Sequence, residues 1–162
     1  MKVCLYIGNH AADGWLARLG WRITRRVQKG PYSNVTHVEA IHAEHADGSV
    51  TIASASLRDG GVRSKQTLLD PANWLIVDVP LWDVARSVDL LATTKGAAYD
   101  WRGAVATVFL GSPNPHKWFC SEWCAAPFVK APATFSPSQF AAICLSLGRD
   151  VTQEFFNQRK GP

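Results

Sequence analysis

The sequence has no apolar run long enough to cross a bilayer as a helix: stretches such as NWLIVDVP, residues 73–80, stop far short of the roughly 20 residues a span requires. It also lacks a secretory leader pattern. MKVCLYIGNHAADGW carries one lysine and a brief apolar run before it turns polar, with no long hydrophobic region and no small-residue cleavage site. Synthesis in a cytoplasm is expected, with any export by a non-classical or phage route. No internal repeat, low-complexity tract or Gly/Ser-rich linker divides the 162 residues, which read as a single domain, 1–162. A chain of that length buries a core without metal or disulfide support. Cysteines are few, four in all. Without a leader they are expected to be reduced thiols rather than a disulfide framework.

The hydrophobic fraction of 47% and charged fraction of 19% are those of an ordinary globular domain. The net charge is +4, and much of the excess sits in GWRITRRVQKG. There Arg22, Arg25, Arg26 and Lys29 follow a spacing that puts them on one face of a helix. Such a face is either simply solvated or meets an anionic surface such as phosphate, a cell-wall polymer or lipid headgroups. Nucleic acid is not favoured.

Alternation and turn signals predict strands near residues 2–8, 35–43, 49–56, 61–68 and 73–80, with Asp47–Gly48 and RDGG at 58–61 as turns. A helix is predicted over 15–29, where Leu16, Leu19, Ile23 and Val27 recur at helical spacing. After Pro80 the pattern becomes helical over 84–95, 101–110, 119–126, 136–147 and 151–158. Pro137 suits a first helical turn. Sheet first and helices later implies an α+β domain, a small antiparallel sheet with helices packed on one side.

The stretch KWFCSEWCAAP, residues 117–127, places Cys120 and Cys124 four apart, each close to a tryptophan. With His116 they share a spacing of four, as metal ligands on a helix would. A structural zinc usually takes four ligands, however, and Pro113 and Pro115 stop the helix short of His116. No metal or other cofactor is expected. HVEAIHAEH, residues 37–45, reads as a strand, so its histidines do not converge: His37 and Glu39 share a face, and His42 and His45 are expected at the surface.

A cysteine nucleophile with a histidine base remains. A thiol is mostly protonated near neutral pH and becomes a useful nucleophile at a helix N-terminus or beside an imidazolium. Cys120 has that setting, since the breaker-rich GSPNPH precedes it and Ser121 and Glu122 suit a first helical turn. The amides of that turn are also suited to hold an oxyanion. Cys4, Cys124 and Cys144 read as small buried hydrophobes.

The order PYS, THVE, a second strand, YDW and CSE resembles the circularly permuted branch of the NlpC-like, papain-related cysteine hydrolases, including the YiiX-like proteins. The resemblance spans most of the chain. In that branch the histidine strand precedes the cysteine helix, as His37 precedes Cys120. It implies a permuted papain-like topology, with Cys120 as nucleophile, His37 as general base and Tyr99 as a hydroxyl that polarises the substrate carbonyl. Glu122 is implied as support for the helix start. The family places a polar residue, often Glu before Ala, on the strand after the histidine; TIASAS offers Ser54 before Ala55, or Ser56. Glu39 is the acidic alternative, although a neighbour on the histidine's own strand is poorly placed to reach the far ring nitrogen. Trp118 and Trp123 are expected to wall the cleft.

The resemblance thus implies a cysteine hydrolase acting through an acyl-enzyme on peptide amides such as those of cell-wall peptides. Acyl transfer or lipid deacylation by the same dyad is the second expectation, and a non-catalytic binding protein on this scaffold the third.

Overall fold

The computed structural model describes residues 1–8, 22, 31–104, 114 and 116–159. The expected helix over 15–29 and most of the one over 101–110 lie outside the described residues. So do Arg25, Arg26 and Lys29; Arg22 is described, and exposed.

The chain is α+β, built on a six-stranded antiparallel sheet. Its strands are β1 (Lys2–Tyr6), β2 (His37–Glu44), β3 (Val50–Ser56), β4 (Gly61–Thr67), β5 (Trp74–Asp78) and β6 (Arg149–Asp150), in the order β4-β3-β2-β1-β5-β6. The β2–β3 hairpin turns where Gly48 takes a positive φ of 81° and the Asp47 carboxylate accepts from the Ser49 amide. Glycine suits that left-handed position because it has no Cβ to clash.

The helices whose full extent lies within the described residues are α1 (Val84–Thr94), α2 (Cys120–Ala125), α3 (Pro137–Leu147) and α4 (Thr152–Asn157), with a 3-10 turn at Pro132–Thr134. Asp83 caps α1 by accepting from the Ala85 amide. Ser136 caps α3 reciprocally with Gln139, and Pro137 fits the first turn without losing a needed donor. α2 is short but fully buried. The Trp123 indole N–H donates to Thr94 Oγ1 at 2.9 Å, tying it to α1, and the Ser121 hydroxyl donates to the Phe135 carbonyl at 2.7 Å.

Among the described residues the core has two clusters. Val3, Leu5, Val38 and Ala40 belong to one with Trp123, Phe140 and Cys144, whereas Cys4 belongs to the other with Ile52, Ile76, Val151 and Phe155. Successive residues of a strand point to opposite faces. Helices packed on one side of the sheet is therefore too simple an expectation: α4 serves the second cluster. β6 was also missed, being two exposed residues whose pairing with β5 no local pattern announces.

Candidate active site

His37 opens β2, and Cys120 opens α2 immediately after the extended Phe119. The fold brings them together: the Cys120 side chain is close enough to the His37 ring to be the largest influence raising its pKa. Cys120 is 3% exposed and His37 half-buried.

Glu39 completes the row. Its Oε1 lies 2.9 Å from His37 Nε2, which leaves Nδ1 as the ring nitrogen free to exchange a proton with sulfur. The expectation that a residue on the histidine's own strand reaches the ring poorly is thus corrected. Residues two apart share a face, and the Glu39 side chain spans the gap because a third group turns it. That group is Arg63 on β4, whose two terminal nitrogens each bond one Glu39 oxygen at 2.5 Å. Arg63 Nε in turn bonds Asp59 at 2.6 Å.

Ser54, the other candidate for the third position, is elsewhere. Its hydroxyl donates to the Ala55 carbonyl and lies 3.8 Å from the Cys124 sulfur. Ser56 accepts from the Asp59 amide. Neither reaches the imidazole.

These contacts set the charges. Burial disfavours a charged His37, but the neighbouring Cys120 side chain and Glu39 outweigh it and raise the imidazolium to about 9. Burial likewise opposes ionisation of Glu39, yet His37 and Arg63 hold its carboxyl down at about 2. The His37 imidazolium and the Glu39 carboxylate therefore persist as a charged pair through neutral pH.

Tyr99 reaches the site from the segment after α1. Gly61 passes so close to that segment that a Cβ there would meet the Ala97 carbonyl oxygen at 2.0 Å. The Tyr99 amide donates to the Gly60 carbonyl, and Tyr99 bridges to Trp118, two residues before Cys120. Burial pushes the Tyr99 phenol up, as do the negative charges of Cys120 and Asp100, so it stays a protonated donor. Asp100 is buried and accepts from the Gly103 and Asn114 amides. Beside it lies an open cleft lined by Trp101, Arg102, Asn114 and Lys117.

Trp123 does not wall the cleft: it is fully buried in the core. Trp118 is partly buried and packs against the larger cluster. His42 and His45 are half-buried rather than at the surface, bonded to Ser87 Oγ at 2.9 Å and Thr51 Oγ1 at 2.8 Å. All four cysteines are free and buried, and among the described residues no group of three or more His, Cys, Asp or Glu is placed to hold a metal ion.

Glu122 supports the helix start by accepting from the Phe119 amide at 3.4 Å. Burial raises its carboxyl to about 7, against that hydrogen bond and helped by the nearby charge of Asp100. A raised carboxyl value makes ionisation destabilising, with the cost growing from pH 4.5 and complete above about 7. Glu122→Gln keeps the acceptor and removes the charge. It is expected to match wild type in urea denaturation at pH 4 and to be more stable at pH 8 by on the order of 2 kcal/mol.

The sequence reading did not find Arg63. The available signal was the RDGG turn, because the β3–β4 register it fixes puts Arg63 directly opposite Ser54. Compared with known proteins, the chain matches no family model, no curated protein and no solved structure.

Proposed function

We propose that the protein is a cysteine hydrolase that cleaves peptide amide bonds, such as those of cell-wall peptides, through an acyl-enzyme on Cys120. The observation that carries this reading is the row Cys120, His37, Glu39: a buried thiol at a helix start, beside an imidazole that a carboxylate holds at Nε2. The order of a histidine strand before a cysteine helix, together with the antiparallel sheet, supports a permuted papain-like topology of the NlpC-like kind.

The thiolate attacks the acyl carbon and the carbonyl π electrons move to oxygen. Tyr99 donates a hydrogen bond to that developing oxyanion. As the tetrahedral intermediate collapses, the C–N bond breaks and His37 gives its proton to the departing amine, leaving a thioester on Cys120. Water then attacks the thioester, His37 takes the proton from it, and the carboxylic product leaves as the thiolate reforms. Glu39 keeps the ring in the orientation that serves both transfers.

A non-catalytic scaffold drew its support from the absence of a carboxylate on β3. Glu39 supplies that carboxylate from β2 and weakens the alternative. Intact-mass spectrometry after mixing with an activated acyl ester tests the proposal. The expected result is a single acyl adduct that maps to Cys120, disappears over minutes and never forms in Cys120→Ala. An adduct on another residue, or none, overturns it.

A further inference from the structure

We infer that Arg63 is a positioning residue for this reaction: it holds Glu39 so that one oxygen faces the imidazole, and it shares the carboxylate's charge so that His37 can still release its proton. The inference rests on the hydrolase reading.

Glu39 has two oxygens, and Arg63 touches both while His37 touches one. A bidentate guanidinium fixes the plane of a carboxylate as a single donor does not. Arg63 is itself held at its third nitrogen by Asp59, which also meets Lys65 Nζ at 3.3 Å. The Arg63 Nη1 atom lies 3.4 Å from the Ser54 carbonyl, so β3 fixes it as well. From His37 through Glu39, Arg63 and Asp59 to Lys65 the row alternates in charge.

The groups that act on His37, directly or through Glu39, define how far this matters. Glu39 comes from its own strand, Arg63 from β4, Asp59 from the preceding turn and Cys120 from α2, with Tyr99 beside Cys120. Cys4 of β1 and Cys124 of α2 lie close by, and burial keeps both thiols neutral. Arg63 is thus the positive group nearest the Glu39–His37 pair among the described residues. A carboxylate left unshared would hold the imidazolium too tightly. His37 would then make a poorer acid toward an amine leaving group, for which proton transfer is required, than toward a phenolate, for which it is not.

The test is steady-state kinetics of the full chain on an amide and an activated aryl ester of the same acyl group, for wild type, Arg63→Met and Arg63→Lys. For Arg63→Met the expected result is an amide kcat lower by about 10–100-fold with KM nearly unchanged, an ester kcat within about 3-fold of wild type, and an alkaline limb moved to higher pH. Arg63→Lys keeps the charge and loses the fork, so its limb stays in place while amide turnover recovers in part. If Arg63→Met does not fold, Arg63→Lys decides by whether amide turnover falls more than ester turnover. Equal losses on both substrates with an unmoved limb overturn the inference and leave Arg63 a pin of the sheet. Wild-type turnover of neither substrate overturns the hydrolase reading and this inference with it.

Discussion

His37→Ala is expected to lower amide turnover by about 10³-fold or more, close to the loss in Cys120→Ala. In the proposed mechanism the ring performs both proton transfers and lies beside the sulfur it serves. Removing either member disables the same unit, so the double variant is expected to be no slower than the worse single one. Both single variants should fold. Cys120 lies at the edge of α2 and alanine suits a helix, while His37 is half-buried at the first residue of β2. Circular dichroism alongside kcat separates lost chemistry from lost structure. A folded His37→Ala variant that retains a tenth of wild-type turnover contradicts the role given to the ring.

Glu39→Ala has the largest expected effect on stability. The substitution leaves the half-buried Arg63 fork facing a void where the buried carboxylate was and strips His37 of its partner, and breaking a buried ion pair from one side costs about 3–5 kcal/mol. At roughly 2–4 °C per kcal/mol for a chain of this size, Tm should fall by about 10 °C. The pH dependence follows from the direction of each shift. Glu39 is lowered from 4.5 to about 2, so its stabilisation is present above pH 4.5 and lost as the pH falls toward 2. His37 is raised from 6.5 to about 9, so its stabilisation is complete below pH 6.5 and lost as the pH rises through 9. The two shifts share the His37–Glu39 contact, while Cys120 adds to the first and Arg63 to the second. The gap between wild type and Glu39→Ala in urea denaturation should therefore be widest between about pH 4.5 and 6.5, narrow above 9 and close toward 2. A gap that does not change with pH contradicts this account of Glu39.

Local chemistry made part of this legible in advance. Asp47–Gly48 marked the β2–β3 turn, alternation marked the central strands, and the breakers before Lys117 placed Cys120 at a helix start. Each signal lies within a few residues of what it specifies. The orienting group was harder to find because it depends on pairing between distant segments. Glu39 lies two residues from His37 in sequence, but what turns its carboxylate is Arg63, two strands away across β3. Ser54 occupies the position that the family pattern favours, yet its hydroxyl bonds along its own strand. Trp123 was misplaced for a related reason: α2 is buried on every side, so one turn of helix gives no polar face to orient it.

The most direct test of the central claim is site-resolved labelling by a thiol-reactive probe, followed by peptide mass spectrometry of native protein at neutral pH. The account predicts rapid labelling of Cys120 alone. Cys4, Cys124 and Cys144, whose thiols burial pushes up, should react only after denaturation. In His37→Ala the Cys120 rate should fall at least tenfold. Labelling of Cys120 at the wild-type rate in His37→Ala would contradict the account.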